Sequence, residues 1–524
     1  MLEEFLKNDT SISALEDLFC SQTEALNQQF STVIIGGGIA GILLALRLSR
    51  PGSKQSAAQI ALIESQPMLG GRLFFSPPTP LTAAPFERFS ALWESSKLGL
   101  HQSGFGFEIL SNSTLESLER HLCATLSDEE SDWLHSFCSQ ESNEIQTPNC
   151  YFIKKEMTTF SNLISGSSEI FTKRESEIFA LLCSGECFIK HEDDSAPEIF
   201  GVTKFWVELS KAAKDSILPL LETICGSQIL KLEALKVTRI LKETRDSCTK
   251  GIPTLFLRRN NLNIALEILL RCRGVNIFTS TSVQRLEKIS KTEFEIRATH
   301  NGELDDLNAT SKRDAVLSFL FKAKKIVVTV PHLKMLSFLS RDDMSPPQSK
   351  LLSRARPQSL VAVEFSAFKP HRLPLWSAEM PAPGTRFIFP VERAEALVTS
   401  QDTVVFYTRL DFEDSLQAPA VREGVSRLRR AAARMLDDVA LKISRPGMHA
   451  WTSRSTTPVC QERIILCPIA WAFSPEQKTD LREVRMAKDG LYCCGDSFSW
   501  DEIPWKNLTT SVHEISKRID GLEG

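Results

Sequence analysis

Residues 31–50 read STVIIGGGIAGILLALRLSR. Val33, Ile34 and Ile35 form an unbroken apolar run of β-formers, which predicts a strand buried on both faces. Gly36, Gly38 and Gly41 follow at GxGxxG spacing, and an apolar helix follows them. In that pattern the first glycine allows a tight turn. The second lets the backbone approach a pyrophosphate, and the third lets the helix pack closely on the strand. Ile39 and Ala40 open the helix, where free N–H groups and the helix dipole favour a phosphate. A second strand is predicted over 59–63, and Glu64 stands at its end, 23 residues after Gly41 (64 − 41). An acid about 20 residues on is the one that holds a ribose hydroxyl. Strand, turn, helix, strand and acid together predict a dinucleotide-binding βαβ unit.

The rest of the chain must supply at least one more core. It has 524 residues, 42% hydrophobic and 24% charged, an ordinary balance for folded protein. The net charge of −4 gives no long-range pull on nucleic acid, so none is expected as a partner. Arg427, Arg429, Arg430 and Arg434 read as a solvated helix face. The first residues are acidic where a secretory signal would be basic, and 33–48 is too short and glycine-rich to span a membrane. The 13 cysteines are scattered without CxxC pairs, so no metal site is expected. Reduced thiols in a cytoplasm are the expectation.

The periodicity divides the chain. Residues 1–30 predict a helical lead-in with Ile12, Leu15, Leu18 and Phe19 on one face. The βαβ unit occupies 31–109. Residues 110–250 read as a helical insertion, with Leu115, Leu118, Leu122 and Leu126 in register. Strand and helix alternate again over 251–340. A strand-rich part follows over 341–450, closed by a helix from about 418. The part 451–524 ends in a strand at 491–494 and a helix at about 506–520, returning to the first domain. This order predicts an α/β protein with two interleaved domains.

The stretch 64–72, ESQPMLGGR, carries the argument further. It resembles the signature of the flavin-containing amine oxidoreductases, the family of monoamine oxidases, polyamine oxidases, L-amino-acid oxidases and carotene desaturases. The resemblance implies FAD bound in a Rossmann-like domain of the Gly-Gly-Arg (GR2) type, with an interleaved α+β substrate domain and a helical insertion. It implies that Gly70, Gly71 and Arg72 lie along the diphosphate and the flavin edge. Three further segments fall in the family's order. Residues 274–277 (GVNI) with Ser282 and Val283 resemble the strand that presents a backbone to adenine, which assigns Val283. Residues 325–331 (KIVVTVP) resemble its apolar strand ending in proline. Residues 490–496 (GLYCCGD) resemble the terminal strand whose Gly495 and Asp496 lie beside the ribityl chain. The helix after it, with Leu508 near its start, would aim its N-terminus at the flavin pyrimidine, where it stabilises negative charge. The resemblance is firm over 31–73 and 490–520 and thin over 255–335.

The sequence also departs from that family. Asn507 and Val512 stand where glycines are common, and Asn260-Asn261 where a Gly-Gly is usual. The stretch 358–363 (QSLVAV) lacks the lysine that holds a water near flavin N5. Trp471 and Phe473 are aromatic candidates for the site, but core packing is their ordinary use. Cys467, 28 residues before Gly495 (495 − 467), stands where monoamine oxidases attach FAD covalently. Free cysteine is the commoner state, so non-covalent FAD is expected. No catalytic residue is assigned, although His332 after Pro331 is a candidate. The family implies oxidation of a C–N bond of a small amine or amino acid by hydride transfer to flavin N5, with O2 as acceptor. The alternatives are a desaturase acting on an apolar substrate and a flavoprotein that modifies or regulates a partner protein.

Overall fold

The computed structural model describes residues 27–53, 56–66, 68–71, 112–138, 150–153, 156–167, 170–184, 198–225, 229–247, 259–300, 317–354, 356–366, 386–389, 392–400, 403–435, 461–473, 490–495 and 504–521. Most of the lead-in predicted before residue 31 lies outside them, and residues 27–30 already belong to the first strand.

That strand, β1 (Asn27–Ile35), is the centre of a seven-stranded sheet. It pairs in parallel with β2 (Ile60–Ile63) on one side and with β8 (Leu317–Val328) on the other. β2 pairs in parallel with β5 (Asn276–Phe278). The far side of β8 is shared. Its first part pairs antiparallel with β7 (Glu293–His300), and its last residues pair in parallel with β14 (Leu491–Cys493). β6 (Thr281–Ser290) completes the sheet antiparallel to β7. The apolar run has the expected cause. Ile34 packs on one face with α1 (Ile39–Leu48), while Val33 and Ile35 pack on the other with a phenylalanine cluster that includes Phe30, Phe278 and Phe321. A central strand segment covered on both faces favours such an unbroken apolar run.

The helical face of this sheet holds more than one contiguous domain supplies. Leu118 and Leu122 of α2 (Asn112–Cys123) and Leu134 of α3 (Asp128–Cys138) join α1 in one core. Leu262 and Leu269 of α9 (Arg259–Cys272) and Val512 and Ile515 of α11 (Pro504–Ile519) join it as well. The predicted insertion at 110–250 is therefore not a single unit. Its first two helices belong to the dinucleotide layer. Next, β3 (Cys150–Ile153) and β4 (Glu156–Thr159) extend the edge of a second sheet. Only 160–247 form a helical unit with a core of its own. It is built on α4 (Phe160–Ser165), α5 (Lys173–Ser184), α6 (Lys204–Glu208), α7 (Lys211–Cys225) and α8 (Ala234–Ser247), around Phe160, Phe179, Phe200 and Trp206.

The second sheet runs β13-β9-β12-β11-β10-β3-β4. Its remaining strands are β9 (Arg356–Ser366), β10 (Arg386–Phe389), β11 (Ala394–Ser400), β12 (Thr403–Asp411) and β13 (Gln461–Phe473). One face carries Val361, Val363, Val404 and Phe406 against α10 (Ala418–Met435). β13 corrects the expected division of the chain. It pairs antiparallel with β9, so 461–473 belongs to the strand-rich sheet, and the chain returns to the first sheet only at 490. Strand pairing is non-local, and an apolar run by itself does not say which edge it will complete. Among the described residues no helix is long and apolar enough to cross a membrane.

Candidate active site

The ends of β1, β2, β8 and β14 meet at the glycine turn. Gly36 leaves β1 at φ 112°, a left-handed conformation that a side chain strains against, and its N–H donates to Ile63 O at 2.8 Å. Gly41 lies in the first turn of α1. A Cβ built there would stand 2.0 Å from Gly36 O, so a hydrogen is all that fits. Gly38 differs. Its backbone is extended, it caps α1, and a Cβ there meets nothing within 4 Å. Packing therefore does not require glycine at 38. The open space stands directly before the N-terminus of α1, where orphan N–H groups project. That is the cradle a phosphate takes, and Ile39 and Ala40 supply the next N–H groups.

Glu64 sits at the end of β2 with only 7% of its surface exposed. Its Oε2 accepts the Gly37 N–H at 2.7 Å. Its Oε1 accepts the Gln66 N–H at 2.7 Å and the Ser65 hydroxyl at 3.1 Å. A buried carboxylate needs such donors, and they fix its position beside the turn. Oε1 is filled by its two donors, while Oε2 keeps a second lone pair for a further donor. The Gly70-Gly71 pair returns to the same place. Gly70 N–H donates to Gly37 O at 2.7 Å, and Gly38 and Gly70 form a parallel bridge. Gly71 crosses so close that a Cβ would stand 3.1 Å from Gly38 Cα. Glu64, Gly70 and Gly71 thus meet Gly36, Gly38 and Gly41 in one construction.

Gly495 closes the far side. It lies two residues past the end of β14, and a Cβ there would lie 3.8 Å from the Ala40 Cβ. Val283 lies on β6 in a bulged stretch, where the ladder shifts register between Val283 and Arg285. The start of its strand is tied to the acid, because Thr281 N–H donates to Glu64 O and Ser280 N–H to Gln66 O, both at 2.8 Å. Leu508 is placed differently from the rest. Its side chain is 1% exposed in the core with Val512 and Cys494, and its place in the helix commits its N–H to an intrahelical bond. The unbonded N–H groups of α11 belong to the residues before it. Arg72 and Asp496 lie outside the described residues, as does the side chain of His332.

Four residues at this site were not singled out from the sequence. Gly37 donates to Glu64, and a Cβ on it would stand 2.5 Å from Leu69 Cδ2. Thr329 Oγ1 donates to Gly36 O at 2.7 Å and approaches Ile35 O at 3.1 Å, tying the turn to the end of β8. Ser511 accepts the Gly495 N–H at 3.2 Å and donates to Leu508 O at 2.8 Å, which couples α11 to the terminal strand. Ser280 holds φ 50°, rare outside glycine, in the turn that grips Gln66. A third consecutive glycine was a legible signal. A serine or threonine beside a strand end was not.

The departures from the resembled family are also located. Leu360 is buried on β9 and pairs with Cys467 of β13 on one side and Arg409 of β12 on the other. Trp471 and Phe473 lie on β13 beyond a register shift.

A parallel-rich sheet with a glycine turn, a buried acid and a returning Gly-Gly at one end defines an α/β architecture carrying a second, mainly antiparallel sheet. Solved structures share it. An oxidoreductase from Methanosarcina mazei superposes with a TM-score of 0.55 at 14% identity, covering 93% of this chain and all of that one. A redesigned double mutant of putrescine oxidase gives 0.52 at 13% identity, covering 94% of this chain and 100% of the other. Cyclohexylamine oxidase from Brevibacterium oxydans gives 0.51 at 10% identity, over 94% and 99% of the two chains. The chain therefore has the fold of known amine oxidases. No family model matches it, and no curated protein is similar to it in sequence.

Proposed function

We propose that this chain is an FAD-dependent oxidoreductase of the amine-oxidase kind, with a GR2-type FAD domain, that oxidises a C–N bond of an amine or amino acid. One observation carries the reading. Glycines 36, 38, 41, 70 and 71 and Glu64 converge on one turn before the N-terminus of α1, and at Gly38 packing does not require a glycine. The residues present fit the cofactor. Gly36, Gly38, Ile39, Ala40 and Gly41 would hold the diphosphate, with Gly70, Gly71 and Arg72 beside it. Glu64 would accept the ribose hydroxyls, Val283 would offer its backbone to adenine, and Gly495 and Asp496 would flank the ribityl chain. The start of α11, just before Leu508, would face the pyrimidine. Bound FAD would supply a two-electron acceptor that takes hydride at N5, with O2 as the proposed final acceptor. Attachment is proposed to be non-covalent, and the location cytoplasmic.

A second reading, desaturation of an apolar substrate, is favoured by the buried Leu360 on β9, in the stretch where the resembled family carries a lysine. The two readings separate in solution. Purified protein is expected to be yellow, with oxidised-flavin bands that disappear from the protein pellet after acid precipitation. Colourless protein that takes up no added FAD would overturn the proposal. Anaerobic bleaching by amines or amino acids supports C–N oxidation, while bleaching only by apolar alkenes supports the second reading.

A further inference from the structure

Five of the eight large apolar side chains that stand exposed among the described residues lie in the helical unit 160–247. Three of them fall within nine residues, in the stretch 199–207, IFGVTKFWV. Ile199 is 46% exposed, Val202 68% and Val207 59%. Their neighbours Phe200 and Trp206 point inward and anchor the stretch in the core of the unit. Leu235 extends the patch. Ile199 bridges to Glu233, and Ala234 N–H donates to Glu198 O at 2.7 Å, which brings the start of α8 alongside.

Glu198 and Glu233 flank Ile199, but on its α5–α7 side the rim of this patch is basic. Arg174 of α5 and Lys204 of α6 are 80% and 83% exposed, and both reach the same Glu208, at 3.7 and 3.8 Å. Lys214 of α7 folds back so that its Nζ donates to Val207 O at 3.0 Å. Ser210 N–H donates to Glu175 Oε1 at 3.0 Å, which locks the starts of α5 and α7 together and brings Lys173 and Lys211 to the same corner. Glu175 is buried and spent on these bonds, and Glu208 is shared between two cations. The remaining acids of these helices, Glu177, Asp215 and Glu222, lie further along α5 and α7. Exposed valines bordered on one side by long cationic side chains match a boundary between lipid tails and anionic headgroups. There the apolar groups enter the membrane, while Lys and Arg stems reach back to the phosphates.

We propose that the turn and helix at 199–208, with the basic residues around it, form a docking surface for an anionic lipid membrane, on which the protein lies without spanning it. This goes beyond the proposed reaction and does not depend on it. The test is co-sedimentation of the full chain with vesicles of phosphatidylcholine alone and of phosphatidylcholine mixed with phosphatidylglycerol. The chain is expected to pellet with the mixed vesicles about tenfold more strongly than with the neutral ones, and added salt is expected to weaken that binding. The double variant Val202→Asp, Val207→Asp is expected to lose binding to both vesicle types while keeping its melting temperature, because both side chains already face solvent. Lys204→Glu is expected to weaken binding to the anionic vesicles only. Three results would each overturn the proposal: no pelleting with the mixed vesicles, unchanged pelleting of the valine variant, or a solution dimer that the valine variant turns into monomer. The last would assign the patch to a second copy of the chain.

Discussion

Gly38 and Gly41 are three residues apart and do different work. At Gly41 a methyl group would drive into the Gly36 carbonyl, 2.0 Å away. Gly41→Ala is expected to cost about 1–3 kcal/mol through overpacking and to lower the melting temperature even of flavin-free protein. At Gly38 a methyl group meets nothing. Gly38→Ala is expected to leave flavin-free stability within about 1 kcal/mol, the difference between glycine and alanine as a helix cap, while weakening FAD binding by at least about tenfold, or about 1.4 kcal/mol. A thermal melt with and without added FAD checks both. Equal behaviour of the two variants would contradict the reading of Gly38 as the position of ligand approach. Ser280 is the converse case, a side chain where the backbone favours glycine. Ser280→Gly is expected to stabilise the protein by about 0.5–1 kcal/mol, readable as a higher urea midpoint with unchanged slope.

At the scale of the element, α2 presents a pH-sensitive joint. His121 lies against α1 and α11, where it faces Arg47 and His513, with Arg50, Lys517, Glu514 and Asp520 around them. Its Nε2 and the Nε of Arg47 are buried and find no hydrogen-bond partner among the described residues. Burial first, then the charges of Arg47 and His513, hold its pKa down at about 4. His513 is lowered for the same reasons, burial foremost. The sign follows from linkage. Below the ordinary value near 6.5, the unfolded chain binds a proton that the folded chain refuses, so stability falls as pH drops. The loss is expected to develop between about pH 6.5 and 4 and to level off below, reaching on the order of 1–3 kcal/mol. Denaturation at a series of pH values reads it, and His121→Leu is expected to flatten most of the slope. A slope that survives that substitution would place the effect elsewhere.

Over the whole molecule, segments distant in the chain are joined by buried polar locks. Arg273, just after α9, is bound to Glu130 of α3 and donates to Leu46 O of α1, and to Thr125 O at 3.1 Å. Breaking a buried pair strands the remaining charge, so Arg273→Met is expected to cost about 3–5 kcal/mol, and Glu130→Met made with it to recover part of that loss. The melting temperatures of the two single variants and the double variant give the coupling directly. The lock also marks where the reading of the chain ran out. The glycine turn, the first helix and Glu64 were legible because each is local. A tight turn, a run of β-formers and a helix N-terminus are written in neighbouring residues. The return of Gly70 and Gly71 was legible only through a family resemblance, and the contacts of Gly37 and Gly70 then supply its physical reason. The sequence did not reveal that α2 and α3 leave the predicted insertion for the dinucleotide layer, since their apolar stripes would suit any core. Nor did it place β13 beside β9, because pairing joins edges rather than neighbours. Thr329, Ser280 and Ser511 are ordinary polar residues until the fold brings them to the turn from far along the chain. The sequence by itself therefore determined that a dinucleotide-type turn exists and where its acid stands. Only the tertiary structure decided what clamps that turn and which sheet each later strand completes, because those choices depend on contacts between residues that the chain keeps far apart.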